Sequence, residues 1–363
     1  MTEFLQKQTA ILQLLNAHQL EGLLLRRVSS FAWATCGAPS YVNTAVSEGV
    51  ATLLITRSGL HLFTDNIEAL RIVKEGNLSE QGWEMHISPW HAGDDQLGSM
   101  VKGLKLGADS PYAGATDLSV EVSRLRSRLT PEEGERFREL GRLCASGMER
   151  AARAVRPGQT EFEISALLTA ETERLGVQPI VSLIATDERI FRFRHPLPTH
   201  KPLERYAMLV LCGRRAGLVC SLTRLVHFGR LPEELRRKAE TVAYVDAAFI
   251  AATQPGRSLG EIFAEGRNAY TDAGFADEWQ LHHQGGVAGY EPREFLATPT
   301  STDRVFVGQA YAWNPSITGT KSEDTFLVGA SGNEIITSIL GWPAISARLG
   351  DQEIARPAIL EME

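Results

Sequence analysis

Long apolar runs are absent from this 363-residue chain: none approaches the roughly 20 residues that a membrane-spanning helix needs, so no membrane partner is expected. Charge of one sign is missing too. Lysine and arginine number 37 against 44 acids, a net charge of -7, and the arginine clusters are interrupted by acids, which leaves no uniform attraction for nucleic acid. Cysteine is scarce. Cys36, Cys144, Cys212 and Cys220 are widely spread and form no Cys-x-x-Cys pair, so neither a disulfide framework nor a zinc knuckle is indicated and buried free thiols are expected. Met1-Thr2-Glu3-Phe4 opens into an amphipathic pattern, not a basic stretch followed by an apolar core, and the expected location is cytoplasmic. A phosphate loop is excluded as well, because the glycine-rich segment at Gly285, Gly286 and Gly289 lacks Gly-Lys-Ser/Thr. What remains is the composition of a globular protein, 43% hydrophobic and 22% charged, long enough for two packed domains.

Residues 4–125 alternate helical and strand-like signals. A helix is predicted over 4–18, strands at 23–25 and 51–56, a Ser58-Gly59 turn into a strand at 60–63, a helix over 67–75, and strands at 85–88 and 104–108. That alternation predicts an α/β domain. A helix over 118–129 precedes Thr130-Pro131-Glu132-Glu133, where Thr130 suits an N-cap, Pro131 the first turn, and Glu133 completes a capping box. The domains are placed at 1–128 and 129–363.

The second part carries a degenerate repeat. A helix ending Ala154-Val155-Arg156-Pro157-Gly158 leads through Gln159-Thr160 to a second helix that contains Glu163-Ile164 and stops at Gly176. The same grammar returns, 98 positions on, as Ala252-Thr253-Gln254-Pro255-Gly256-Arg257-Ser258, then Glu261-Ile262 and a stop at Gly274. Thr160 and Ser258 are both natural N-caps after a Pro-Gly break. Each helix pair leads into hairpins, 206–212 with 218–227 and 309–313 with 322–328, which predicts a pseudo-twofold α+β domain around a cleft.

These motifs resemble the pita-bread family of creatinase, prolidase and aminopeptidase P, with a creatinase-like N-terminal domain. The resemblance implies a C-terminal pita-bread domain and a hairpin carrying two metal-binding aspartates, followed by Thr-Arg. Here the hairpin runs from Leu211 through Gly213 and Gly217 to Ser221-Leu222-Thr223-Arg224, one residue shorter, with Leu211 and Ser221 in place of the carboxylates. The family's His-x-x-x-His-x-x-Gly becomes His282-His283-Gln284-Gly285-Gly286-Val287-Ala288-Gly289, with Gly286 at the ligand position; its Glu-Pro becomes Asn314-Pro315; only Glu323-Asp324 matches. A two-metal site needs bridging carboxylates, and adjacent His282 and His283 are expected to point opposite ways from an extended strand, so no metal and no cofactor is expected.

His195, in Arg194-His195-Pro196, matches the family's substrate-side histidine, and the resemblance to metal-free creatinase implies that it shuttles a proton. Glu323 is the other catalytic candidate, as a base or as a partner for a cation, with Lys321 or Arg224 able to pair with it internally. Arg194, Arg224, His282, His283, Tyr290, Arg293, Asn314 and Lys321 are the substrate-binding candidates: polar groups beside glycines, and arginines able to fork onto a carboxylate. The expected function is metal-independent hydrolysis of a C–N bond in a small carboxylate-bearing amide, amidine or guanidine. A pseudopeptidase that binds a small ligand, peptide or protein, or an Xaa-Pro metallohydrolase with a degenerate site, are the alternatives. The partner is a small molecule or short peptide, and family analogy implies a homodimer.

Overall fold

The computed structural model describes residues 2–92 and 95–363. Its contacts divide into two compact units, Met1–Glu132 with Ala216–Leu218, and Glu133–Arg215 with Val219–Glu363.

The first unit is built on β1 (Gly22–Arg27), β2 (Glu48–Thr56), β3 (Leu60–Asp65), β4 (Glu84–Ser88), β5 (Leu106–Ala108) and β6 (Thr116–Asp117), in sheet order β4-β3-β2-β1-β5-β6. Leu23, Leu24 and Leu25 are successive and all buried, because both faces of this central strand are covered. The helices are α1 (Glu3–Ala17), α2 (Val28–Ala34), α3 (Ala69–Glu75), α4 (Asp95–Met100) and α5 (Ser119–Arg126). Thr2 caps α1, whose Ile11 and Leu15 face the core. Sequence reading did not anticipate α2: every residue of it is buried and no side chain caps it, so neither amphipathic period nor N-cap marks it.

The second unit begins with the long helix α6 (Pro131–Ala154) and continues with α7 (Glu161–Glu173), β7 (Gln178–Thr186), α8 (Glu188–Arg192), β8 (Tyr206–Arg215) and β9 (Leu218–Phe228). There follow α9 (Glu233–Ala252), α10 (Leu259–Asp272), β10 (Gly285–Ala288), β11 (Phe295–Leu296), β12 (Ala310–Trp313), β13 (Ser316–Ile317), β14 (Thr320–Lys321), β15 (Asp324–Val328), β16 (Asn333–Ile335), β17 (Ala344–Leu349), β18 (Gln352–Pro357) and β19 (Leu360–Met362). The repeat read from the sequence is a repeat of structure. Thr160 with Glu163 and Ser258 with Glu261 form matching capping boxes, and the glycines that end the preceding turns, Gly158 and Gly256, have φ of +89° and +88°. The first half supplies β7, β8 and β9, a sheet that β19 extends beside β9, and the second half supplies the sheet β11-β10-β12-β15-β16.

Hydrogen bonds between β9 and the chain entering β15 join the halves: Thr223 N–H donates to Glu323 O (3.1 Å), Ser221 N–H to Thr325 Oγ1 (2.8 Å), and the Thr325 hydroxyl to Ser221 O (2.9 Å). A buried ion network anchors the same place. Asp324 pairs with Arg224 (2.8 Å) and Arg356 (2.7 Å), and Arg356 also holds Asp246 (2.7 Å). Burying these charges is tolerable because each is paired, and breaking one pair would leave a charge stranded. Glu323 is thereby fixed between two immobilised strands.

Candidate active site

Two carboxylates hold the segment bearing His195. Asp187 accepts the backbone N–H groups of Glu204 (2.8 Å), Arg205 (2.9 Å) and Tyr206 (2.9 Å), closing the loop at its base. These bonds offset a φ of +51° at Asp187, unfavourable for a residue with a Cβ. Glu161, wholly buried at the start of α7, accepts from Thr186 N–H (2.8 Å), Arg189 Nε (2.9 Å), Thr199 N–H (2.9 Å) and the Thr199 hydroxyl (2.7 Å), so it ties both flanks of the loop together. His195 is left exposed at the top of the loop.

His282 follows a short 3-10 turn, Glu278–Leu281, and is buried. Its Nε2 lies 3.0 Å from His195 Nε2. The rings of His282 and His283 stack with centroids 4.4 Å apart, which corrects the expectation that adjacent histidines point opposite ways. That expectation assumed a strand, but β10 starts only at Gly285, and the turn before it leaves both rings on one side. Gln284 fixes the turn by donating to His282 O (2.6 Å) and Trp279 O (3.0 Å), while its Oε1 lies 3.0 Å from the Tyr270 hydroxyl.

The second cluster centres on Glu323. Lys321 Nζ lies 2.8 Å from Oε2, Arg293 donates to Oε1 (3.0 Å), and the Thr223 hydroxyl donates to Oε2 (2.6 Å). Arg293 also donates to Ser221 Oγ (3.1 Å). Two cations against one carboxylate leave one unit of positive charge in a water-poor place.

The local charges follow from this arrangement. Burial raises the Glu323 carboxyl, but the charges of Lys321 and Arg293, with hydrogen bonds from Lys321 and Thr223, hold it at about 2. A carboxylate so engaged is an anchor for cations and a poor proton acceptor. Burial, then the Lys321 charge, lowers His282 to about 2; burial, then the Arg293 charge, lowers His283 to about 4. His195 is lowered by the same causes, burial first, with Glu323 opposing. All three imidazoles are therefore neutral at pH 7. Cys212, whose Sγ is 3.3 Å from Ser221 Oγ, is pushed up to about 11 by burial, which removes it as a thiolate nucleophile.

Other candidates lie apart from these clusters or at their edge. Arg194 borders the small cavity beside His282 and pairs with Glu278 (2.6 Å) and the Thr318 hydroxyl (3.1 Å). Arg224 does not pair with the Glu323 carboxylate; its guanidinium is spent on Asp324 and on Thr337 O (3.0 Å), a structural role. Tyr290 donates to Glu133 (2.6 Å) on α6. Asn314 is buried, its N–H donating to Gln284 O (3.0 Å) and its Oδ1 without a partner among the described residues. Sequence reasoning missed Glu161, Asp187, Glu278 and the positioning part of Gln284. Only the fold shows them, since their partners lie up to 84 positions away.

A model of metallopeptidase family M24 matches residues 135–330. The chain belongs to family M24. Among solved structures, the Xaa-Pro dipeptidase of Bacillus anthracis superposes with a TM-score of 0.79 at 21% identity, covering 99% of this chain and 100% of that one. The prolidase of Pyrococcus horikoshii gives 0.79 at 18% identity, over 92% and 98%. At these identities the likeness is one of fold, the pita-bread fold with its N-terminal domain. An uncharacterized peptidase of Staphylococcus haemolyticus is 27% identical over 235 residues, 61% of this chain; the chain spans 65% of that relative's length. The agropine synthesis cyclase of Rhizobium rhizogenes is 27% identical over 213 residues, 51% of this chain and 52% of the relative.

The family name implies a metal centre, and the residues here do not fit a carboxylate-bridged pair. Leu211 and Ser221 offer no carboxylate, and both oxygens of Glu323 are engaged by Arg293, Lys321 and Thr223. At Gly286 even a Cβ would lie 2.3 Å from Phe295 O, so this backbone has no room for a histidine. The imidazoles of His195, His282 and His283 do bring ligand nitrogens within 4.8 Å of one another, a donor set for a single transition ion and not for two hard ones.

Proposed function

We propose that this family M24 chain is a metal-independent hydrolase of a C–N bond in a small amide, amidine or guanidine that carries a carboxylate. The observation that carries this reading is the Arg293–Glu323–Lys321 cluster, 3.0 and 2.8 Å across its two ion pairs, with one excess positive charge beside three neutral imidazoles. The excess charge suits a substrate carboxylate. His195, neutral and exposed, takes a proton from the attacking water as its oxygen bonds to the substrate carbon; when the C–N bond breaks, the same proton passes to the leaving nitrogen. His282 stays neutral and supports the His195 ring through the 3.0 Å contact. Glu323 holds the two cations in position. The name of the agropine synthesis cyclase supports a small-molecule substrate over a peptide.

A pseudoenzyme that binds its ligand without turnover is the second reading. It is favoured by the engagement of both Glu323 oxygens by Arg293, Lys321 and Thr223, which leaves that carboxylate a poor proton acceptor. We further propose a homodimer, on family analogy. The deciding experiment is a turnover screen over amides, dipeptides and guanidino acids with wild type, His195→Ala and, as a control at an exposed position between β15 and β16, Ser331→Ala. Turnover that falls about 100–10,000-fold in His195→Ala alone supports the assignment. Turnover unchanged in His195→Ala refutes the role of that residue, and binding without turnover establishes the second reading.

A further inference from the structure

A second histidine cluster lies in the N-terminal unit, and no part of the reading above uses it. Strands β3 and β4 pair in parallel with His61 opposite Glu84 and Phe63 opposite His86. Because side chains alternate along a strand, these four residues share one face of the sheet, at the edge that β4 forms. His61 Nδ1 lies 3.2 Å from His86 Nε2 and 3.1 Å from Glu84 Oε2, and His86 Nε2 lies 3.8 Å from Glu84 Oε1. An ion bound tetrahedrally with bonds of about 2.0–2.2 Å separates its ligand atoms by about 3.3–3.6 Å. The three donors already stand close to that spacing.

Both rings are held in the required orientation. His86 stacks on the buried Phe63, centroids 4.5 Å apart and planes 14° apart. His61 lies so close to the Ser58-Gly59 turn that a Cβ at Gly59 would come within 2.6 Å of its Nε2, which leaves Nδ1 as the nitrogen facing Glu84 and His86. The imidazole side chains are 14% and 13% exposed and Glu84 is 65% exposed, so an ion could enter from solvent and keep water as its fourth ligand. A mere hydrogen bond between two imidazoles would use one nitrogen of each and needs no carboxylate beside them.

We propose that His61, Glu84 and His86 form a mononuclear site for a borderline divalent ion of the zinc, cobalt or nickel class, which ties edge strand β4 to β3. Two imidazoles and one carboxylate with an open position suit such ions, whereas calcium and magnesium call for more oxygen ligands. The test is titration of Zn2+ and of Co2+ into the full chain without an affinity tag, followed by calorimetry and by the visible absorption of bound Co2+. Wild type, Glu84→Gln, His86→Gln and His195→Ala are compared. The expected result is one ion per chain at this site, retained in His195→Ala, weakened on the order of tenfold or more in Glu84→Gln and lost in His86→Gln. Glu84 is exposed, so Glu84→Gln leaves the fold intact and keeps the test decisive should His86→Gln unfold. Unchanged affinity in Glu84→Gln, loss of the ion in His195→Ala alone, or no binding with metal in large excess over the chain overturns the proposal.

Discussion

The pH dependence of stability tests the buried histidine pair directly, without a substrate. In the unfolded chain His282 titrates near its ordinary 6.5; folded, it is lowered to about 2 by burial and by the Lys321 charge. Below pH 6.5 the unfolded state therefore binds a proton that the folded state refuses, and stability is lost as pH falls and regained as pH rises through 6.5. Each pH unit is worth at most about 1.4 kcal/mol, so at pH 5.0 His282 alone should remove about 2 kcal/mol relative to pH 7.5. That is a large share of the 5–15 kcal/mol typical of folded domains. The assay is urea unfolding of wild type and His282→Gln at both pH values. The substitution has its own effect at pH 7.5, so the quantity to read is the change between the two pH values. Wild type should lose about 2 kcal/mol more than His282→Gln across that interval, with His283 contributing equally to both. An identical pH dependence in the two proteins would refute the burial argument.

Glu323→Gln strips the carboxylate from Lys321 and Arg293, two cations with side chains 5% and 10% exposed, and should destabilise by about 3–5 kcal/mol, visible as a lower urea midpoint with an unchanged slope. Gly286→Ala places a Cβ 2.3 Å from Phe295 O and should destabilise by about 1–3 kcal/mol or more, whereas Gly332→Ala, where a Cβ meets nothing, should not. Elemental analysis after exposure to Mn2+ should show no ion whose retention depends on Glu323, compared with Glu323→Ala. Light scattering at micromolar concentration should give twice the chain mass of 39.9 kDa; a monomer would remove the homodimer.

Local grammar was legible in the sequence wherever it acts over a few residues. The N-caps Thr160 and Ser258 and the Pro-Gly breaks 98 positions apart identified the repeat, because an N-cap and a positive-φ glycine need only their neighbours. The same reading found the hairpin of β8 and β9. It failed at α2, which is buried all round and so carries no period, and at His282 and His283, where the turn and not a strand sets the ring directions. It also left Arg224 and Lys321 as equal candidates for Glu323. Lys321 won because Arg224 is drawn to Asp324 and Thr337 O, in an ion network that joins residues 246, 324 and 356. Composition and spacing set which groups the chain possesses and where its turns fall. Only the tertiary structure decided which charges meet, since the cationic cluster at Glu323 and the three-donor cluster at His61, Glu84 and His86 depend on strand register and on long-range ion pairing.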